Sequence, residues 1–195
     1  MKVLKIVLVT ILIVAMVVTL ALCCQQTLSA QKDGSIAPAC RITNKSKQFV
    51  IETFGHYENV PDLLQAIANY AAEKFQYDRN HRMPLIQAFD FDSFIEAKTG
   101  VCWDFAAFAE CCVVLWSQKK NISVKSYIVD MRPRNNFSAT HSYNYVIEGN
   151  TIYVFDLTPV TCQRPAWRIH SFAGDSLEDI YAYASNMGED IYRVN

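Results

Sequence analysis

Two alternating segments joined by Gly149-Asn150 constrain the fold of this chain more than any other feature. Residues 140–148 and 151–157 are rich in β-branched and aromatic side chains. A two-residue connection containing glycine and asparagine between such segments is typical of a β-hairpin. Residues 122–131 have a similar composition and predict a further strand before the hairpin. This half of the chain is therefore predicted to contain an antiparallel sheet.

The turn determines which residues face each other in the hairpin. With Glu148 opposite Thr151, His141 and Asp156 become diagonal neighbours on one face of the sheet, because side chains alternate along a strand. Asp156 lies in an otherwise apolar strand, and a buried carboxylate needs a charged or hydrogen-bonding partner. Two interpretations follow: a His–Asp pair that only holds the hairpin together, or an imidazole that a carboxylate orients for proton transfer.

Helical periodicity is found on both sides of the sheet segments. One pattern begins at Pro61, with apolar residues three and four positions apart, and a second begins at Cys102. The apolar faces of these two helices comprise Leu63, Leu64, Ile67, Ala68, Ala71, Ala72 and Phe75, and Phe105, Phe108, Ala109, Cys112, Leu115 and Trp116. A third helix is predicted from a Ser176 cap to Met187. The chain is therefore predicted to combine helices with a sheet in one domain.

Cys102 stands where a helix begins, two residues after Gly100, which permits a tight backbone turn. A thiol at a helix start faces unpaired N–H groups and the positive end of the helix dipole, and both favour the thiolate. Since the thiolate is the nucleophilic form of cysteine, this position suits covalent catalysis. The alternative is a buried cysteine at the top of a core helix, and position alone favours that alternative.

Three motifs in this order resemble the transglutaminase-like superfamily. They are Thr-Gly-Val-Cys-Trp-Asp-Phe-Ala around Cys102, then Thr-His-Ser-Tyr-Asn around His141, and finally Tyr-Val-Phe-Asp-Leu-Thr-Pro around Asp156. In that family Gly-x-Cys opens a helix, the histidine starts a strand, and Asp-x-Thr closes the next strand. The resemblance extends over roughly residues 61–159. It implies an α+β fold with a papain-like, transglutaminase-like core, in which N-terminal helices pack on an antiparallel β-sheet.

The resemblance also implies a thiol-dependent acyl-transfer enzyme that acts on peptide amides. Cys102 would attack the amide carbonyl and form a thioester, and His141, oriented by Asp156, would protonate the leaving amine and then activate the second nucleophile. Water as that nucleophile gives hydrolysis, as in a protease or amidase, and an amine gives transamidation. The expected partner is a peptide or protein substrate. The alternative is a catalytically inactive family member that serves as a binding or structural module at the cell surface.

Two parts of the family's pattern differ or stay open in this sequence. The family often has an aromatic residue soon after the histidine, as in His-Ala-Trp, and here Tyr143 could fill that place. Two donors that stabilise the oxyanion are also expected, and the backbone N–H of Cys102 supplies one of them. The candidates for the second donor are Tyr77, Asn80 and Gln87.

The N-terminal segment, 1–30, has the layout of a secretory signal. Lys2 and Lys5 precede an unbroken uncharged run, 6–22, which is longer than a typical signal core and close to the shortest membrane span. A signal cleaved at Ser29 or Ala30, a lipoprotein signal at Cys23 and an uncleaved anchor are the alternatives. We predict a signal peptide or membrane anchor at 1–30, a spacer at 31–46 and a transglutaminase-like domain at 47–195. The domain is expected outside the cytoplasm, membrane-anchored or secreted.

Charge and cysteine usage exclude several classes of partner. Without Lys2 and Lys5 the chain has 16 basic and 19 acidic residues and no basic run, which argues against nucleic acid and against an anionic membrane surface. Membrane contact is expected only through the N-terminal segment. No Cys or His cluster has the spacing of metal ligands, so neither a metal nor a cofactor is expected. Five cysteines follow this segment, and an odd number in an exported chain predicts at least one free thiol.

Overall fold

The computed structural model describes residues 40–78, 80, 89–135, 140–158 and 169–194. The predicted signal or anchor at 1–30 lies outside these residues, as does Gln87. Among the helices that the structure describes, none is both long enough and apolar enough to cross a bilayer.

The helices and the long strands are mostly separated along the described chain, with four helices before the sheet and one between its last two strands. The helices are α1 (Asn44–Phe54), α2 (Val60–Lys74), α3 (Phe91–Ala97), α4 (Cys102–Lys120) and α5 (Leu177–Asn186). The strands are β1 (Cys40–Arg41), β2 (Gln76–Tyr77), β3 (Phe89–Asp90), β4 (Thr99–Gly100), β5 (Lys125–Pro133), β6 (His141–Glu148), β7 (Thr151–Phe155), β8 (His170–Ala173) and β9 (Glu189–Val194). The long strands form one antiparallel sheet in the order β8-β7-β6-β5-β9, and the short pairs β1-β3 and β2-β4 are parallel.

Side-chain caps define where the helices begin. The Asn59 side chain accepts from the N–H of Asp62 at the start of α2, which also has proline in its first turn. The Ser176 side chain caps α5 in the same way through the N–H of Asp179. The helices predicted from Pro61, Cys102 and Ser176 are therefore confirmed, and each starts within one residue of its expected position.

The central hairpin has the predicted register. Gly149 adopts φ 57°, as a tight hairpin turn requires, and Glu148 pairs with Thr151. Pairing continues to Asn144 and Phe155, where β7 ends two residues before the predicted end of the strand. The first residues of β6 consequently extend beyond its β7 partner, and Asp156 follows the strand instead of lying in it.

The sheet separates two apolar clusters. One face packs on α4, with Ile128, Val146 and Phe155 contributing to the cluster. The other face packs on α5 through Ile180 and includes Tyr145. Thirteen of the 19 residues of α4 are buried, because α1, α2 and α3 cover the side of this helix that faces away from the sheet. The protein is therefore an α+β protein with N-terminal helices packed on an antiparallel sheet, as predicted.

Among the described residues, regular structure is present ahead of residue 47, where the predicted domain starts. Strand β1 and the first residues of α1 fall inside the segment 31–46 that was predicted to be a spacer. Its polar residues act as caps: Thr43 and Ser46 bond to each other, and their hydroxyls donate to Asp92 at 2.6 and 2.8 Å. The polar character of this segment therefore comes from capping at the junction of α1 and α3.

Candidate active site

The N-terminus of α4 presents Cys102 next to two short strands. Cys102 is the first residue of the helix, so its N–H has no acceptor four residues earlier within the helix. The N–H of Val101, the N-cap residue, donates to Asp104 Oδ2 at 2.9 Å. This carboxylate stabilises the start of the helix, in agreement with the role expected of an acidic residue there.

Gly100 is required for space rather than for an unusual backbone conformation. It lies in β4, and among the described glycines only Gly149 and Gly188 have positive φ. A Cβ at position 100 would lie 2.8 Å from both Cβ and Oδ2 of Asp104 and 2.9 Å from Cε2 of Phe94. Gly100 therefore does not use the positive φ that glycine allows, and its physical role is to leave the space in which Asp104 reaches the helix cap.

His141 and Asp156 form a direct hydrogen bond, His141 Nε2 to Asp156 Oδ2, at 2.7 Å. The other carboxylate oxygen, Oδ1, accepts from the N–H of Thr158 at 2.9 Å, which fixes the rotation of the carboxylate. About a third or less of each side chain is exposed, 31% for His141 and 24% for Asp156. With Nε2–H donating to Asp156, the second ring nitrogen, Nδ1, is left for the thiol.

Cys102 and His141 each shift the pKa of the other, so the thiol and the ring lie close together. Alternation along β6 puts His141 on the side of Tyr143, whose ring centroid is 5.9 Å away. As the first residue of its strand, however, His141 lies at the end of the sheet, where α4 begins. The structure thus brings the three predicted residues together at the N-terminus of α4.

The contacts change the ionisation of both groups in opposite directions. Burial by itself would raise the pKa of Cys102, but the hydrogen bond and charge of His141, with contacts from Ser142, lower that pKa below its usual value. Burial opposes the charged form of His141, but Asp156 and Cys102 raise the pKa of His141 to about 10. Both shifts favour the thiolate–imidazolium form of the pair over the neutral form.

Ser142 is a site residue that the sequence analysis did not identify. Its backbone N–H and its hydroxyl both lower the pKa of Cys102, and the hydroxyl donates to Asp130 Oδ1 at 2.5 Å. Its position immediately after the histidine, on the opposite strand face from Tyr143, was the available signal. Two residues further on, Asn144 Nδ2 donates to the carbonyl of Ala106 at 3.0 Å and so fixes β6 to the first turns of α4.

Tyr143, proposed as the aromatic residue after the histidine, is buried beneath the His141 ring. Its hydroxyl lies 3.0 Å from that of Tyr145 and donates to Glu189 Oε2 at 2.9 Å. Burial, together with the neighbouring Tyr145 and Glu189, raises the pKa of Tyr143 far above its usual value. Tyr143 therefore stays protonated and supports the position of the imidazole.

The candidates for the second oxyanion donor are placed differently. Tyr77 pairs with Gly100 across β2 and β4, and its ring stacks on Phe105 with centroids 6.2 Å apart. Asn80 is exposed and its N–H donates to Asp78 Oδ1 at 2.9 Å. Gln87 lies outside the described residues. Of the two that the structure describes, Tyr77 is the residue that lies next to the segment carrying Cys102.

The described residues contain no group of three or more His, Cys, Asp or Glu side chains that could hold a metal ion. The arrangement around Cys102 instead combines a nucleophile, a proton donor and acceptor, and an orienting carboxylate. These are the groups that acyl transfer through a thioester requires.

Comparison with known proteins identifies the family and finds several similar solved structures. Among solved structures, one similar chain is a candidate cysteine protease from Cytophaga hutchinsonii, with 18% sequence identity and a TM-score of 0.46. The match covers 78% of this chain and 47% of that one. A second is a TGase with 16% identity and a TM-score of 0.42, and the match covers 85% of this chain and 43% of that one. A third is LapG of Legionella pneumophila with 15% identity and a TM-score of 0.40, and the match covers 73% of this chain and 84% of that one.

This chain thus spans less than half the length of the first two of these structures. A search of curated proteins gave no match. A family model of the transglutaminase-like domain matches residues 45–187, which is more than half of the chain and includes Cys102, His141 and Asp156. The chain therefore belongs to the transglutaminase-like domain family.

Proposed function

We propose that this protein is a thiol-dependent acyl-transfer enzyme that acts on peptide amides through a thioester on Cys102. The observation that carries the proposal is the 2.7 Å hydrogen bond between His141 and Asp156, together with the effect of His141 and Cys102 on each other's pKa. The lowered pKa of Cys102 and the raised pKa of His141 support it, because the first shift favours the nucleophilic thiolate and the second favours the proton-donating imidazolium.

The first half-reaction forms the thioester. The Cys102 thiolate attacks the carbonyl carbon, a C–S bond forms, and the carbonyl electrons move to oxygen. The N–H of Cys102 at the helix start is suited to stabilise this oxyanion, with Tyr77 as the candidate for a second donor. The imidazolium of His141 then gives its proton to the amide nitrogen, the C–N bond breaks, and the amine leaves.

The second half-reaction returns the enzyme to its starting state. His141, now neutral, removes a proton from water or from a primary amine, which attacks the thioester carbonyl. The C–S bond breaks and the Cys102 thiolate is restored beside an imidazolium. Asp156 keeps the ring orientation and stabilises its positive charge throughout, as the carboxylate of a triad does. Water gives hydrolysis and an amine gives transamidation.

We also propose that the reaction takes place outside the cytoplasm, on a peptide or protein substrate, with residues 1–30 as signal or anchor. This location rests on the basic and apolar pattern of those residues.

The test is incubation of the full-length chain with glutamine-containing peptides, with and without a primary amine. Mass spectrometry of the products distinguishes loss of ammonia or peptide cleavage from incorporation of the amine. Cys102→Ala should abolish every product, whereas Cys112→Ala, which changes a fully buried thiol, should retain activity in proportion to the folded protein. Absence of product across a peptide panel, with Cys102 alkylated no faster than an ordinary thiol, would instead support the inactive module.

A further inference from the structure

Arg132 lies at the end of the sheet where the candidate active site is located. The pairing of β5 with β6 ends at Met131 and His141, and Arg132 is the next residue along β5. The pairing of β5 with β9 continues further and puts Arg132 opposite Asp190. Arg132 therefore stands just beyond the start of the strand that carries His141, on a part of β5 that only β9 borders among the described strands.

The Arg132 side chain is on the sheet face that packs on α4. Side chains alternate along a strand, so Arg132 shares a face with Asp130 and Ile128. Ile128 belongs to the apolar cluster around α4. Asp130 accepts a hydrogen bond from Ser142 on the neighbouring strand at 2.5 Å, so Ser142 is on this face as well.

The contact between β6 and α4 places this face beside the thiol. Asn144 Nδ2 donates to the carbonyl of Ala106 at 3.0 Å, and both elements begin at the candidate site. Ser142 is about 7 Å back along β6 from that contact and Cys102 about 6 Å back along α4, so the two lie level. Arg132 is one strand away from Ser142 and two residues along, about 8 Å between the Cα atoms.

Three arginines lie on or just beyond these two strands, and two of them have carboxylate partners. Arg193 on β9 forms an ion pair with Asp130, and Arg134 donates to Asp190 Oδ1 at 2.8 Å. Asp190 is opposite Arg132 in the ladder, but its ion pair is with Arg134. Among the described residues, Arg132 has no carboxylate partner, so the uncompensated positive charge of this group belongs to Arg132.

Stacking holds the Arg132 guanidinium in place. Its central carbon lies 4.4 Å from the centroid of the Tyr192 ring. The Nε atom is buried without a hydrogen-bond partner among the described residues, although the side chain as a whole is only half-buried. Native structures contain few such atoms, because a buried polar group without a partner lowers stability. The group is therefore ordered on an aromatic ring instead of being paired within the chain.

A bulge in β9 provides the ring. Ile191 pairs with Met131 and Arg193 with Asp130, so Tyr192 between them is the extra residue of the bulge. Bulges re-aim side chains and are frequent next to active sites. Here the bulge brings Tyr192 under the guanidinium.

We propose that Arg132, ordered by Tyr192, binds a carboxylate of the peptide substrate two or three residues from the reactive amide. The proposal rests on the proposed function of Cys102 and deepens it by naming the substrate class. The planar guanidinium matches a carboxylate through two parallel hydrogen bonds. The separation of about 8 Å corresponds to two or three residues of extended peptide at about 3.4 Å each. An acidic side chain and a free C-terminus offer the same chemistry.

The experiment compares turnover of three alanine-based peptides, each with one glutamine, by the full-length chain. The first has a glutamate two or three residues from the glutamine and an amidated C-terminus. The second has no glutamate and ends in a free carboxylate at that distance, and the third has neither carboxylate. We expect kcat/KM to be about tenfold higher for one of the first two peptides than for the third, and the preferred peptide identifies the source of the carboxylate.

This preference should depend on Arg132. Arg132→Gln should reduce the ratio of kcat/KM values to about one, and Arg132→Lys should keep only part of it, because an ammonium lacks the planar fork. No preference for either carboxylate in the unmodified chain, or an undiminished preference in both variants, would overturn the proposal. Thermal unfolding monitors folding, and Arg132→Lys provides the test if Arg132→Gln does not fold.

Lys125→Gln is the matched control. Lys125 is an exposed residue at the opposite end of the same strand, and its replacement changes the net charge by the same amount. It is about 23 Å from Arg132 along the strand, more than the screening length of about 10 Å in 0.1 M salt. Lys125→Gln should leave the ratio unchanged. An equal loss in this variant would assign the preference to net charge and overturn the subsite.

Binding separates this proposal from the proposed function. The three peptides, carrying the same fluorescent label, are titrated with the full-length Cys102→Ala chain, alone and combined with Arg132→Gln, and fluorescence anisotropy is measured. If no peptide is turned over but a carboxylate peptide binds through Arg132, the proposed function fails and the subsite stands. If peptides are turned over but neither turnover nor binding prefers a carboxylate, only the subsite fails.

Discussion

Replacing His141 with alanine isolates the contribution of the imidazolium to the reactivity of Cys102. In the intact site the burial of Cys102 raises its pKa, and the hydrogen bond and charge of His141 are the largest effects that lower it. The variant keeps the helix and the Ser142 contacts but loses both effects of the ring. The pKa of Cys102 should therefore rise above its value in the unmodified chain, and alkylation at neutral pH should become slower.

The size of the rise in the Cys102 pKa follows from the loss of attraction between the thiolate and the imidazolium. Two opposite charges about 4 Å apart at an effective dielectric constant of about 20 interact by about 4 kcal/mol, which corresponds to about 3 pKa units. At a pH below both pKa values the thiolate fraction falls about 1000-fold. A more basic thiolate is intrinsically more reactive, with a Brønsted coefficient of about 0.4–0.5. For a rise of about 3 pKa units, each thiolate is therefore alkylated about 16–30-fold faster. The net expectation is alkylation about 30–60-fold slower.

The assay follows the Cys102 peptide by mass spectrometry in the full-length chain at limiting iodoacetamide between about pH 5 and 10. His56→Ala is the matched control, because His56 stacks on Tyr57 with centroids 4.1 Å apart and lies outside the site. A rate and pH profile unchanged by His141→Ala would refute the reasoning. For the acyl-transfer reaction itself the profile should be bell-shaped, since Cys102 must be ionised and His141 must keep its proton below its pKa of about 10.

Three further changes test other parts of the account. Asp156→Asn should slow acyl transfer by about 10²–10⁴-fold while the chain remains folded, because an amide no longer stabilises the imidazolium of His141; kinetics of purified protein measure this. Gly100→Ala should lower the free energy of unfolding by about 1–3 kcal/mol through its clash with Asp104, as measured by denaturant unfolding. Burial, and then the charge of Cys40, raises the pKa of Glu110 well above its usual value. The contribution of Glu110 to stability is therefore fully present below the pKa that this group has in the unfolded chain. It is lost as the pH rises through the pKa of Glu110 in the folded chain. Glu110→Gln should remove this alkaline loss in thermal unfolding scans at several pH values, and an unchanged pH dependence would contradict the assignment.

The central hairpin could be predicted from sequence because its information is local. A two-residue turn at Gly149 and the alternation on either side determine which residues face each other, and the observed register of Glu148 with Thr151 agrees. The same register predicts that His141 and Asp156 are neighbours. Periodicity and the motif around Cys102 similarly locate the buried helix that starts at this cysteine.

The parts that the sequence analysis did not identify depend on long-range contacts. Strand β9 pairs with β5, which lies much earlier in the chain, and a bulge sets its register, so no local pattern connects Arg193 with Asp130. Ser142 escapes sequence analysis because alternation assigns it to the face opposite Tyr143, and only the packing of α4 shows that Cys102 lies on that face. Helix α1 begins inside a segment whose polar residues suggest a linker, since their partner, Asp92, is distant in sequence.

The most direct test of the central claim is detection of an acyl group on Cys102 during turnover. The full-length chain is mixed with a glutamine-containing peptide, quenched in acid after about one turnover, and analysed by mass spectrometry of the Cys102 peptide. The account predicts a thioester adduct that hydroxylamine removes, that is absent in Cys102→Ala and that is strongly reduced in His141→Ala. Product formation without any adduct on Cys102, or an adduct that forms equally well without His141, would contradict it.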